Sequence, residues 1–292
     1  MDMPAYIAPA NVDDALEIKR EMGTDARVIA GGTDLLLRLR DRNLSPDLLL
    51  DLRRTSLDTI SSHTGDMHLG AYVTLSQILE HAEIGTLYPA LVEACRQFAG
   101  PPIRNRGTLG GNIVNASPAA DLVPPLMAYD ANIVLSSSSG ERVLELSAFF
   151  TGPGQTILRP DEILTEIRLP LMPSKTTASF IKLGQRRSMA ISIVNLCTRI
   201  TLDTAGVVAV ARVVLGSVAP TPLRAFATEV LLRGRQLSSA LIDEAAARAR
   251  EEVSPITDVR ASRDYRNRMT QVLVRRALTT NRKDLARDGS ND

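Results

Sequence analysis

The sequence predicts an α+β protein in two domains, and three observations predict it. Up to residue 170, short apolar runs of strand length alternate with segments of helical period. The stretch LMPSKTTAS at 171–179 then has no period and carries Pro, Ser and Thr, as a domain boundary does. Beyond it, long β-type runs come first and two helical segments follow, the order of a separate α+β unit. A length of 292 residues also exceeds what one ordinary compact core holds.

Residues 12–21 hold Val12, Ala15 and Leu16 at helical spacing and read as a helix. Residues 27–30 form a short strand that stops at Gly31 and Gly32, and a leucine-rich helix over 33–40 follows at once. LLLDL at 48–52 and MHLG at 67–70 are short apolar strands, while 75–81 and 88–99 have the spacing of helices. NIVLS at 132–136 is a strand, and the four serines before Gly140 are a hairpin tip. ILTEIRL at 163–169 alternates and stops at Pro170, as a strand should. Past the boundary, 180–183, 191–202 and 207–218 are β-type runs. Residues 241–253 and 262–279 are helices, the second with Tyr265, Met269, Val272 and Leu273 on one face. These elements divide the chain into a domain over 1–173, itself split near 55–60, a second over 174–285, and a disordered tail over 286–292.

Composition narrows the function. Hydrophobic content of 44% and charged content of 23% are those of a soluble globular protein. A net charge of +1 gives no global attraction to nucleic acid or an anionic membrane. Aromatic content of 3% and the lack of Trp make base stacking on single strands a poor match. No apolar run approaches the length of a membrane span, and MDMPAYIAPA lacks the basic-then-apolar order of a secretory signal. Cys95 and Cys197 are far apart and form no C-x-x-C pair, so neither zinc nor an iron–sulfur cluster is expected here, and a reducing cytoplasm is the simplest location. His63, His68 and His81 have no spaced partners and read as surface or loop residues. No Ser-His-Asp, Cys-His or paired-carboxylate arrangement is evident, so no catalytic residue is assigned.

Two glycine clusters carry the remaining signal. AGGTDLLL at 30–37 places two glycines between a strand and a helix. Glycine allows a tight turn and lets a ligand approach the main chain. A helix starting near Thr33 would expose unpaired N–H groups to a phosphate. Alternatively the stretch is a tight turn with Thr33 as N-cap and nothing bound. PPIRNRGTLGGNIVNASPAADLVPPLMAYD at 101–130 is the second cluster. It stays small and polar through NASPAAD before a helix that starts near Pro124, has little to bury, and reads as a backbone-rich loop with N–H groups aimed at anions rather than as a core element. Asp121 near its end is a cap, an Asx-turn or an acceptor for a ribose hydroxyl. Neither cluster matches G-x-G-x-x-G or G-x-x-x-x-G-K-[ST], so a Rossmann site and a P-loop are unsupported. Two glycine loops sharing one diphosphate is the preferred arrangement.

AGGTDLLL at 30–37 and IRNRGTLGGNIVNASPAAD at 103–121 resemble the two FAD-binding signatures of the molybdenum hydroxylase flavoprotein subunits, the xanthine dehydrogenase and carbon monoxide dehydrogenase medium-chain family. The resemblance extends through ILTEIRLP, FIKLGQRRSMAISIVN at 180–195 and the SRDYR helix. It implies an FAD-binding domain of the p-cresol methylhydroxylase type, built of two α/β subdomains. A C-terminal α+β domain of the carbon monoxide dehydrogenase flavoprotein type would follow. Val28, Ile29, Ala30, Gly31, Gly32, Thr33, Asp34 and Leu35 would wrap the FAD diphosphate. Thr108, Gly110, Gly111 and Asn112 would clamp its other side. Val114 and Phe98 would lie near the flavin ring, Asp121 would hold the adenosine ribose, Leu164 would touch the adenine half, and Lys182 would sit at the N1–C2 edge. For Phe98 and Leu164 plain core packing is an equal alternative. For Lys182 the alternative is the solvated face of an edge strand.

The resemblance also implies the assembly. This chain would be the electron-transfer subunit of a dimer of heterotrimers. A small subunit with two [2Fe–2S] clusters would donate single electrons, and a large molybdopterin subunit would oxidise the substrate. NAD⁺, O2 or a quinone-linked acceptor would receive the electrons. A self-sufficient FAD-dependent oxidoreductase and a scaffold that has lost FAD are the competing expectations. Intact Gly31, Gly32, Gly110 and Gly111 speak against the scaffold, since nothing else in the sequence demands them.

Overall fold

The computed structural model describes residues 4–41, 43–186 and 189–288. The first unit alternates strand and helix: β1 (Ala5–Ile7), α1 (Val12–Met22), β2 (Ala26–Ile29), α2 (Leu35–Arg40) and β3 (Leu48–Asp51). Its three strands form a parallel sheet in the order β1-β3-β2. The central β3 is buried at every residue, which is why its sequence is a continuous leucine run rather than an alternating one. Asn11 caps α1, its side chain accepting from the Asp14 N–H at 2.8 Å.

The second unit opens with the hairpin β4 (Ile60–His63) and β5 (Asp66–Gly70). Six short helices follow: α3 (Leu75–Glu80), α4 (Ala82–Leu87), α5 (Pro89–Gln97), α6 (Pro101–Arg104), α7 (Leu109–Val114) and α8 (Val123–Ala128). The strands β6 (Asn132–Ser137), β7 (Gly140–Glu145), β8 (Phe150–Gly152), β9 (Gln155–Thr156) and β10 (Ile163–Pro170) complete it. Five of these strands form an antiparallel sheet, β4-β5-β10-β6-β7, with the four-serine stretch at the β6–β7 turn. A helix does start near Pro124, as α8, but the segment before it is not the expected backbone-rich loop: it carries α6 and α7, and Leu109 and Ile113 stand one helical turn apart in the core.

The third unit is an antiparallel sheet of β11 (Thr176–Gly184), β12 (Ser192–Leu202), β13 (Val208–Gly216) and β14 (Leu223–Arg224), followed by α9 (Phe226–Leu232), α10 (Ser239–Glu252) and α11 (Arg263–Asp288). Because α11 runs to Asp288, residues 286–288 are helical rather than part of a disordered tail. The rest of that expected tail, 289–292, lies outside the described residues.

Strand β12 joins the second and third units because both of its faces are covered. Leu196 and Ile200 pack into the core under α10 and α11, and the Thr198 hydroxyl donates to Asn281 Oδ1 of α11 at 2.5 Å. Residues of the other parity face the second unit, as the two-residue period of a strand requires. Cys197, with Phe180 of β11 and Val214 of β13 beside it in register, belongs to the core that holds Tyr129 and Ala94. Arg199 is buried on the same face. Its guanidinium meets Asp130 at 2.6 Å, and Arg212 of β13 meets the other oxygen of that carboxylate at 2.7 Å.

A second constraint joins the two glycine clusters directly. A Cβ at Gly31 would lie 1.8 Å from the Arg106 carbonyl oxygen, and a Cβ at Gly110 would lie 2.6 Å from the Ala71 carbonyl oxygen. These two glycines are therefore demanded by backbone packing against backbone, not by a ligand alone. Gly111 is different: it is exposed, and its Cβ would meet only the Thr108 hydroxyl at 2.9 Å.

Two stability outcomes follow from these contacts. Asp130→Ala strands the buried Arg199 guanidinium beside Arg212, and half-burial of the carboxylate sets the expected loss at about 2 kcal/mol. Denaturant unfolding measures it, and a loss near zero would contradict the clamp. Gly31→Ala must push the two clusters apart and is expected to cost about 3 kcal/mol, as overpacking does. Gly111→Ala should cost well under half of that. Equal melting points for the two glycine variants would show that the backbone approach is not a constraint.

Candidate cofactor site

A cavity of about 720 Å3 runs between the first turn, the α6–α8 segment, the start of β10 and β11, a size in the range of ligand pockets. Every residue expected at the cofactor lines it except Ile29, which is buried beneath the turn with its Cδ1 3.4 Å from where a Gly32 Cβ would stand. Gly32 has a positive φ of 71°, so this turn favours glycine at that position.

The turn presents donors. The N–H groups of Gly32, Thr33 and Asp34 meet no acceptor among the described residues, while those of Leu36, Leu37 and Arg38 close the first turn of α2 onto Gly32 and Asp34. Thr33 does not cap that helix. Its N-cap is Asp34, with no side-chain cap bond, so the Thr33 hydroxyl remains available in the cavity wall.

The second cluster behaves otherwise over 109–112, where the N–H groups are bonded within the protein. Leu109 N–H donates to the Val73 carbonyl and Gly110 N–H to the Ala71 carbonyl, both at 2.9 Å. Gly111 N–H donates to the Thr108 hydroxyl and Asn112 N–H to the Thr108 carbonyl, both at 3.1 Å. Thr108 is the N-cap of α7. What this stretch offers a ligand is side chain: Asn112 lines the cavity, and its Oδ1 is buried with no partner among the described residues. An unpaired buried carbonyl costs about 1–3 kcal/mol, so it marks a place where a donor belongs.

Cationic side chains missed in the sequence also reach the wall. Arg27 has no carboxylate within ion-pair distance among the described residues, Arg38 pairs loosely with Asp34 at 3.6 Å, and Arg159 is 3.9 Å from Glu162. Glu162 is held chiefly by Arg142. Burial favours its neutral form, but the Arg142 and Arg159 hydrogen bonds outweigh this and keep its carboxyl below the usual range. Lys19 also borders the cavity, but its ammonium is spent on the Gly23 and Ala26 carbonyls, and burial lowers its pKa.

At another part of the wall Asp121 and Lys182 are in contact, Nζ to Oδ2 at 2.6 Å, with both side chains 7% exposed. The resemblance assigned them to separate parts of one cofactor, the adenosine ribose and the flavin ring. A direct ion pair puts both side chains at one place in the wall. Asp121 is also no cap, because α8 has Leu122 at its N-cap with no side-chain bond. Nor is Lys182 on a solvated face, although β11 is an edge strand. Strand register explains the placement: Lys182 is opposite Asn195, on the face shared with Phe180 and Cys197 that turns toward the second unit. Phe98 and Val114 pack against the core and also face the cavity, and Leu164 does both from β10, so for these residues core and cavity are not alternatives.

The residues fit a long ligand with an anionic middle. A row of unpaired N–H groups and the unpaired Asn112 carbonyl line a single cavity, with Arg27 and Arg38 in the wall and apolar stretches at Phe98, Val114 and Leu164. Comparison with known proteins identifies the ligand. Residues 2–172 match the family described as FAD binding domain in molybdopterin dehydrogenase. Residues 179–280 match the CO dehydrogenase flavoprotein C-terminal domain. The xanthine dehydrogenase FAD-binding subunit of Escherichia coli O157:H7 is 30% identical over 281 residues, 95% of this chain and 96% of that protein. The nicotinate dehydrogenase FAD-subunit of Eubacterium barkeri is 31% identical, covering 91% of this chain and 92% of its own. Among solved structures, a carbon monoxide dehydrogenase chain from Hydrogenophaga pseudoflava superposes with a TM-score of 0.91 at 30% identity, over 95% of this chain and 96% of that one. The chain belongs to the FAD-binding subunits of the molybdopterin dehydrogenases, the xanthine and carbon monoxide dehydrogenase family, and FAD is its cofactor.

Proposed function

We propose that this chain is the electron-transfer subunit of a multi-subunit molybdenum hydroxylase. It takes single electrons from [2Fe–2S] clusters of a small partner subunit and passes them to NAD⁺, O2 or another acceptor. Substrate oxidation takes place on a large molybdopterin subunit, and the assembly is a dimer of such heterotrimers. The observation that carries this reading is the pairing of unsatisfied groups across one cavity, the Gly32, Thr33 and Asp34 N–H groups and the Asn112 carbonyl, in a chain of this family.

When bound, FAD supplies the exchange between one-electron and two-electron transfer. The protein's part is to hold and to bias. The three N–H groups and the Thr33 hydroxyl would take diphosphate oxygens, with Arg27 and Arg38 adding charge. Asn112 would meet a donor from the ribityl or ribose hydroxyls. The apolar wall at Phe98 and Val114, close to Lys182, suits the flavin ring, and Leu164 with Val28 suits the adenine. A cytoplasmic location fits two buried free cysteines and the fact that no described helix is long and apolar enough to cross a membrane.

The test is made on native protein. Acid precipitation of the yellow protein should release FAD into the supernatant, because the donors described suit a dinucleotide's diphosphate. The native protein should copurify with an iron–sulfur and a molybdenum subunit. FMN in the supernatant would overturn the diphosphate site. A chain that runs alone on size exclusion and still oxidises a substrate would replace the subunit reading with a self-sufficient oxidoreductase.

A further inference from the structure

The Asp121 end of the cavity is built with more donors than recognition of one hydroxyl needs. Asp121 is 5% exposed. Its Oδ1 accepts from the Ser192 hydroxyl at 2.5 Å and from Asn195 Nδ2 at 2.8 Å, and its Oδ2 accepts from Lys182 Nζ at 2.6 Å. Asn195 Nδ2 also reaches the Ala120 carbonyl at 3.3 Å. The fit of Asn195 depends on its cross-strand neighbour being Gly216, where a Cβ would lie 2.0 Å from Asn195 Oδ1. Lys182 is held a second time, by the Gln97 carbonyl at 3.3 Å. Two of its three N–H donors are thus committed, and one remains for the cavity that it lines.

A lone buried ammonium would favour negative charge gained nearby on reduction. Lys182 is not alone, since a carboxylate touches it and is itself fixed by two further donors from the neighbouring strand. Resting on the reading that FAD occupies this cavity with its ring toward Lys182, we propose that Asp121 is a positioning residue that holds the Lys182 ammonium and offsets its charge. The pair, rather than the lysine alone, then sets the reduction potential of the flavin. Asp121 acts through Lys182 and does not recognise a ribose.

Three variants of the full-length protein test this: Asp121→Asn, Lys182→Gln and the two together. Asn keeps the shape of Asp. Lys182 retains its Gln97 contact and its burial, so its charge stays in place and becomes unbalanced. Asp121→Asn should favour the reduced flavin by at least tenfold, about 30 mV upward for a two-electron couple. Lys182→Gln should move the potential downward, and the double variant should return close to wild type. FAD content of the wild-type protein is measured first, and its absence would remove the underlying reading itself. With FAD bound, a potential that is unmoved or lowered in Asp121→Asn overturns the proposal alone. If Asp121→Asn fails to retain FAD, the double variant decides. The proposal expects it to bind FAD, because no buried charge is left unpaired, and loss of FAD there would mean that Asp121 contacts the cofactor itself.

Discussion

The contact on which the site depends is the seating of the Gly31 backbone against the Arg106 carbonyl, with no side chain between them. That approach brings a strand-to-helix turn of the first unit onto the glycine-rich segment of the second. It also divides the labour between them. The segment around α7 spends its N–H groups on the Ala71 and Val73 carbonyls that follow β5, so it is a fixed platform. The turn after β2 keeps the N–H groups of Gly32, Thr33 and Asp34 unspent among the described residues, which suits it to bind an anion. A cradle of this kind is preorganised, because its donors are unpaired before any ligand arrives and its backbone is held from behind.

The third unit contributes through the register of one strand. β12 is buried on both faces, so its sequence shows no amphipathic alternation, yet its parity is strict. Asn195, Cys197 and Arg199 turn toward the second unit and meet Asp121, the shared core and Asp130 in turn. The same register carries Lys182 of β11 to the cavity wall. Holding the two units together and placing a charged pair at the cofactor are therefore one structural event. A slip of β11 against β12 by one residue would move Lys182 to the opposite face, while Arg199 stays fixed by its register with β13.

Much of this was legible in the sequence. The strand–helix alternation, ILTEIRLP and the long β-type runs rest on local periodicity, which a single chain displays. The segment around α7 misled because glycine's weak helix propensity hid a real signal: Leu109 and Ile113 are spaced one turn apart, and packing against β10 and the residues after β5 overrides propensity. The strand β1 is only three residues long, and β7 is mostly exposed, so neither offers an apolar run long enough to find. The Asp121–Lys182 contact joins residues 61 apart in sequence and depends on two strands docking on a loop, which no local pattern reports. What could have been noticed is Lys182 on the parity of Phe180, a charged residue on an otherwise apolar face.

The measurement that tests the central claim most directly is amide hydrogen exchange on the FAD-free chain before and after FAD is added. The N–H groups of Gly32, Thr33 and Asp34 should exchange fast in the free protein and be slowed strongly by FAD, while those of Leu109 to Asn112 are already bonded and should change little. Strong new protection at 109–112 with none at 32–34 would contradict the assignment of the diphosphate to the first turn.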